Sequence, residues 1–130
     1  MNIPMKKLLR AAKSVRGSFA LGGDGFAAGD VGAALLTAGG KIYTGICIDL
    51  ACGIGFCAEH SAMAEMLKSR ETRIKMIVAV GKTGILPPCG RCREMMLQLD
   101  AANADAEVVL TQDRTVKLKE LLPHYWNEQR

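Results

Sequence analysis

The sequence predicts an α/β protein in which one β-sheet is covered by helices. Three observations lead there. Helix-like and strand-like stretches follow one another in the order helix, hairpin, helix, strand, helix, strand. No repeat, linker or shift in composition interrupts the 130 residues, so residues 1–130 are expected to form a single domain. Hydrophobic residues make up 49% of the chain, enough to build a core and too many for a disordered polymer.

The elements are justified in order. Residues 3–16 spell an amphipathic helix, with Leu8, Leu9, Ala12 and Val15 for the inner face. Lys6, Lys7, Arg10, Lys13 and Arg16 form its wet face and carry much of the net charge of +4. Aromatic residues are not interleaved with these cations to stack bases, so the face reads as solvated surface and no nucleic-acid partner is expected. The glycine-rich "LGGDGFAAGDVG" comes next and contains G-x-G-x-x-A from Gly23. A dinucleotide-binding turn needs a strand before it and a helix after it. The order here is reversed, so residues 21–33 are expected to be a flexible loop.

"VGAALLT" and "KIYTGICI", parted by "AGG", form a hairpin signal. "CAEHSAMAEMLKSR" combines good helix formers with Ala62, Met63, Met66 and Leu67 at helical spacing. "IKMIVAV" reads as a buried strand. "CGRCREMMLQL" reads as a helix with two prolines ahead of it as a start signal. "AEVVLT" is a further strand, "TVKL" a short edge strand and "KELLP" a helical turn. The methionines Met63, Met66, Met95 and Met96 are expected in the core or at subunit contacts. Residues 124–130 form a tail.

Composition narrows the setting. The longest apolar stretches fall short of a membrane span. The N-terminus lacks the apolar core of a signal peptide. The five cysteines are an odd number without a secretion signal, so reduced thiols in a cytoplasmic protein are expected, some of them binding metal.

The chemistry is concentrated in "FCAEHSAM" and "PPCGRCREM". Cys89 and Cys92 sit at i and i+3, on one face of a first helical turn. Cys57 opens the other helix. Juxtaposing the two helix starts makes three thiols converge where the helix dipoles favour thiolate, the form that binds metal. Soft thiolates point to Zn²⁺, one per chain. Three protein ligands leave one tetrahedral position open, which marks a catalytic rather than a structural zinc. Water there becomes acidic enough to supply a nucleophile near neutral pH. Glu59, two residues after Cys57, is placed to move its proton. This matches the general description of zinc deaminases, in which a glutamate that is not a ligand acts as acid and base.

"CAEHSA" followed by "PPCGRCRE" resembles the cytidine deaminase family, including blasticidin S deaminase. "VGAALLTAGGKIYTG" resembles the family's first hairpin, and "VVLT" through "KELLP" its C-terminal end, so the likeness runs from Val31 to Pro123. The resemblance implies a three-layer α-β-α sandwich with a central mixed sheet of about five strands. It also implies a homotetramer whose sites are completed by neighbouring chains. Cys57, Cys89 and Cys92 match the zinc ligands and Glu59 the proton shuttle. Ala58 matches the position whose backbone N–H contacts the ring carbonyl of the substrate. The implied reaction is hydrolytic deamination, most simply of cytidine or deoxycytidine to the uracil product with release of ammonia. Cysteine as the first ligand points to free nucleosides rather than nucleic acids.

The sequence departs from the family at the substrate. The family's sugar-binding Asn-x-Glu is replaced by Cys47 and Asp49 in "CID". Asp49 still accepts a hydroxyl hydrogen bond, whereas a thiol is a poor substitute for an amide that donates and accepts. The family's phenylalanine ahead of "VGA" is replaced by Gly29, with Phe26 nearby as a substitute substrate contact. The family's arginine after the glutamate is replaced by His60, which with Arg93 is the expected compensation for the negative charge of three thiolates on Zn²⁺. Arg91 and the helix dipoles are further sources. Trp126 and Tyr125 in the tail are placed either over the substrate or over a core or subunit edge. These departures keep blasticidin S and free bases such as cytosine or isocytosine open as substrates.

Rival readings remain. His60, at i+3 from Cys57, would complete a closed Cys₃His structural zinc module. Cys89 and Cys92 alone would make a redox pair, although their place late in the chain does not suit one. A scaffold that binds without turnover is the third, and Glu59 argues against it. Cys52 reads as a buried small residue or as part of the pocket.

Overall fold

The computed structural model describes residues 2–128; residue 1 and residues 129–130, the last two of the tail, lie outside it. Helix α1 (Ile3–Val15) starts where Asn2 caps it, the Asn2 Oδ1 accepting from the Met5 N–H at 2.9 Å, with proline in the first turn. Strands β1 (Phe19–Ala20), β2 (Ala27–Thr37) and β3 (Ile42–Asp49) follow, then helix α2 (Ala58–Lys68). Strands β4 (Ile74–Gly81) and β5 (Gly84–Leu86) lead to helix α3 (Gly90–Leu99). A 3₁₀ turn at Ala101–Asp105, strands β6 (Glu107–Thr111) and β7 (Arg114–Lys117), and a second 3₁₀ turn at Leu118–Leu121 complete the order.

β2 lies between β3 and β4, antiparallel to both; β4 pairs with β6 in parallel, and β6 with β7 antiparallel. These five make the mixed sheet expected. The sheet nevertheless has seven strands, because β1 adds to β2 and β5 adds to β4. Both additions are too short, at two and three residues, to leave a periodic signal in sequence. The glycine-rich stretch is likewise not all loop. β2 begins inside it, with Ala27 and Ala28 paired to Asp49 and Ile48 before a bulge. Gly29 at φ +88° sits in that bulge, and a Cβ there would lie 2.2 Å from the Gly17 carbonyl oxygen, so only glycine fits.

Strand alternation sorts the core into two faces. Ala34, Met76, Val78, Val80 and Val109 meet Met5, Leu8, Leu9 and Ala12 of α1. Ala33, Leu35, Ile77, Ala79 and Val108 meet Ala62, Met63 and Met66 of α2 and Met96 of α3. Each large apolar side chain so buried contributes about 1.5–3 kcal/mol. The result is the three-layer sandwich, α1 on one side and α2 and α3 on the other. Asn103 ties the second layer together: its Oδ1 accepts from Ile74 N–H at 2.8 Å, and its Nδ2 donates to the carbonyls of Thr72 and Met96 at 3.0 and 2.8 Å. Among the described residues, no helix is long and apolar enough to cross a membrane.

Candidate metal centre and adjoining cavity

Two helix starts make the site. Cys57 is the N-cap of α2 and Cys89 the N-cap of α3, both extended in backbone, and neither side chain makes a capping hydrogen bond. Ser, Thr, Asp or Asn would be the ordinary choice there. Cysteine gives up that stabilisation and turns a sulfur outward from each helix. Pro87 and Pro88 hold the chain extended up to Cys89. Cys92 enters one turn into α3 and is fully buried. The helix starts meet because β3 is smooth beneath α2: a Cβ on Gly45 would lie 2.3 Å from the Ala62 nitrogen and 2.6 Å from the Ala58 oxygen.

The three sulfurs lie within 4.8 Å of one another. Cys57 Sγ is 3.4 Å from Cys89 Sγ, and Cys89 Sγ is 3.7 Å from Cys92 Sγ. Zinc–sulfur bonds of about 2.3 Å in a tetrahedron separate neighbouring sulfurs by about 3.8 Å. The donor set therefore fits Zn²⁺ with little rearrangement. His60 does not join this group. Its Nδ1 reaches only Cys92 Sγ, at 3.3 Å, and its ring stacks on Phe56 with centroids 6.4 Å apart. The closed Cys₃His arrangement is not what the side chains adopt.

Electrostatics differ among the thiols. Burial raises Cys57, and the Cys89 side chain adds to it. Burial raises Cys92 far above its ordinary value, with the Glu59 charge second. Burial also pushes Cys89 up, but the backbone N–H groups of Cys92 and Arg91 and the two neighbouring thiols outweigh it, so Cys89 is net lowered. Cys89 is therefore the thiol readiest to ionise, and a cation is what stabilises all three as thiolates. Glu59 is buried at 5% exposure, and burial raises its carboxyl above the usual range despite its own backbone N–H and Cys92. Burial, with Arg91 second, pushes the His60 imidazole down. His60 Nδ1 and Cys92 Sγ share a hydrogen bond, which places the imidazole directly beside one of the sulfurs.

A cavity of about 490 Å³ adjoins the cluster, and Cys57, Ala58, Glu59 and Cys89 are among its lining residues. Ala58 is the first helical residue of α2, where a backbone N–H has no partner inside the helix. Cys47 and Asp49, two apart on β3, line the same cavity. Cys47 Sγ accepts from the Val31 N–H at 3.2 Å and lies 3.8 Å from Asp49 Oδ2.

Other expected site residues lie elsewhere. Phe26 does not line the cavity; its carbonyl is bound to the Leu21 N–H in the turn between β1 and β2, and its ring lies against Gly23. Trp126 and Tyr125 do not either. Both donate to the Glu94 carboxylate of α3, which is not among the lining residues either. Arg93 is not a lining residue and is held by carbonyls, its Nε donating to the Pro88 carbonyl at 2.8 Å and its Nη1 to the Leu121 carbonyl at 3.4 Å. It braces the approach to Cys89, while Arg91 lines the cavity instead. Cys52 is exposed on the loop beyond β3 and is not a lining residue. Sequence reading missed Asp30 and Phe56, both of which line the cavity. Adjacency to Cys57 was the available signal for Phe56; Asp30 had none within the glycine-rich stretch.

Residues 6–108 match the family model described as "Cytidine and deoxycytidylate deaminase zinc-binding region". A Dictyostelium discoideum protein named "Probable cytidine deaminase" is 35% identical over 82 residues, 61% of this chain and 53% of the relative, so the chain spans about half of that relative's length. The cytidine deaminase of Mycobacterium tuberculosis (strain CDC 1551) is 30% identical over 96 residues, 72% of this chain and 69% of the relative. A crystal structure of cytidine deaminase from Mycobacterium tuberculosis superposes with a TM-score of 0.79 at 25% identity, covering 96% of this chain and 98% of the other. Together with the three converging sulfurs, these likenesses assign Zn²⁺ as the cofactor. This chain is thus a member of the cytidine and deoxycytidylate deaminase zinc-binding family.

Proposed function

We propose that this chain is a hydrolytic deaminase of a free pyrimidine nucleoside, of cytidine or deoxycytidine type. The observation that carries the proposal is Glu59: a buried carboxyl, raised in pKa, lining the same cavity as Cys57 and Cys89. Burial makes that carboxyl hold its proton more tightly than a free one, as a group that donates and then takes back a proton must. Zinc, when bound by Cys57, Cys89 and Cys92, supplies a water acidic enough to attack at neutral pH. The residues of the chain do the rest. The Ala58 N–H donates to the ring carbonyl and fixes the ring's orientation. Glu59 protonates the ring nitrogen beside the amine-bearing carbon, and then carries the attacking water's proton to the departing amine. The balance is nucleoside amine plus water giving the keto product plus ammonia. Asp49 accepts from a sugar hydroxyl.

The chain is proposed to work as one domain over its 130 residues, in the cytoplasm and as a homotetramer. Leu50 and Leu86, partly exposed apolar residues at the cavity, support a neighbouring subunit there. A second reading, a free aminopyrimidine base or a blasticidin-like aminonucleoside, is favoured by Cys47. Its sulfur is engaged by the Val31 N–H and offers a sugar no amide.

The test is Glu59→Gln together with a substrate panel. Ammonia release is measured from cytidine, deoxycytidine, cytosine, isocytosine and blasticidin S. Wild type is expected to act on the nucleosides. Glu59→Gln is expected to lose about 10²–10⁴-fold in turnover while keeping one zinc per chain. Full activity in the variant would refute the mechanism, and activity on a base or blasticidin S alone would replace the nucleoside by that substrate.

A further inference from the structure

Phe56 is the aromatic residue among those lining the cavity, and its position is fixed from several sides. Its backbone is locked to β3: the Ile48 N–H donates to the Phe56 carbonyl and the Phe56 N–H to the Ile48 carbonyl, both at 3.0 Å. The preceding Gly55 lets that approach happen, since a Cβ there would sit 2.2 Å from the Ile48 oxygen. The ring stacks on His60 at an interplanar angle of 14°, and His60 in turn contacts Cys92 Sγ. Yet the side chain remains 36% exposed. A large apolar ring, held rigid and partly uncovered beside a metal ligand, is surface kept available for contact.

We infer that Phe56 is the residue on which the flat ring of the substrate packs, so that the wall next to Cys57 both holds the metal ligand and orients the ring for attack. The inference rests on the deaminase reading above and specifies one of its contacts. Aliphatic side chains and carboxylates make up much of the remaining wall, with Val31, Leu86, Asp30 and Asp49 among them. None of these offers an extended apolar face; the Arg91 guanidinium is the other extended flat group in the wall, and it is charged where the Phe56 ring is apolar. Phe26, the aromatic that sequence position favours for this role, lies outside the cavity. Because Phe56 adjoins Cys57 in the chain, an error in ring position is limited by the same backbone that places the sulfur. A stacking contact of this kind is made to the ring in substrate and transition state alike, and to the product's ring as well, so it moves affinity more than turnover.

The experiment compares wild type, Phe56→Leu and Phe56→Tyr as zinc-loaded proteins. Three quantities are read: zinc content, the dissociation constant of uridine by calorimetry, and KM and kcat for cytidine. Phe56→Leu is expected to weaken uridine binding and raise KM by about tenfold, the scale of one base–aromatic stack. Its zinc content stays at one per chain and its kcat changes by less than KM. Phe56→Tyr is expected to restore binding to within about twofold of wild type. Uridine affinity unchanged in Phe56→Leu overturns the inference. So does a loss that tracks a smaller oligomer by light scattering and disappears at high protein concentration, since Phe56 would then be a subunit contact. A wild type that neither binds uridine nor deaminates cytidine refutes the nucleoside reading instead, so the two failures are distinguishable.

Discussion

Single residues here are asked to serve chemistry at the expense of local stability. Cys57 and Cys89 occupy N-cap positions without capping, and Glu59 is buried. Elsewhere polar side chains serve structure. Tyr43 Oη donates to Glu71 Oε2 at 2.7 Å, tying β3 to the segment that follows α2. That bond, with Thr37 second, holds the Glu71 carboxyl below its ordinary 4.5. A depressed folded pKa means the contribution is present above the unfolded value and is lost as pH falls through the folded one. Tyr43→Phe is therefore expected to be less stable than wild type above pH 4.5, with the gap closing below it. Urea unfolding of both proteins between pH 3 and 7 checks this; a gap that widens on acidification contradicts it.

Elements set the spacing of the sulfurs. α2 rides on β3 at near backbone contact because position 45 has no side chain. Gly45→Ala puts a methyl group into backbone atoms of α2 that cannot swing aside, a strain of about 1–3 kcal/mol. Because Cys57 and Ala58 open that helix, the displacement reaches the site. Lower thermal stability and weaker zinc retention under a chelator are expected together, measured by calorimetry and metal analysis. A destabilised variant that holds zinc as tightly as wild type would separate the packing from the site. The prolines before α3 and the carbonyl contacts of Arg93 do the equivalent positioning for Cys89.

At the scale of the whole molecule the metal joins two helices of one layer. Zn²⁺ binds the folded arrangement of three sulfurs, so its binding energy adds to folding stability. Chelation is expected to abolish the proposed deamination and lower the melting temperature by several degrees, and added Zn²⁺ to restore both. An unchanged melting temperature after complete metal removal would show that α2 and α3 hold their starts without it.

The metal-binding residues were legible because they are local. Cys89 and Cys92 at i and i+3, and Cys57 with Glu59, announce a shared helical turn each, and the helices themselves follow from periodicity and prolines. The five longer strands were legible for the same reason, through alternating apolar runs. β1 and β5 were not, since two or three residues carry no period and exist only because a neighbouring strand offers free hydrogen-bonding groups.

The sequence by itself determined the donor set, the glutamate proposed to carry the proton and the α/β layering, because each depends on spacing along one element. Only the tertiary structure decided which side chains share the cavity. It turned Arg93 to carbonyls, drew Tyr125 and Trp126 to Glu94, left Phe26 in its turn, and brought Phe56 and Asp30 to the wall. Those positions depend on where separate elements meet, and contacts between elements leave no period in the chain.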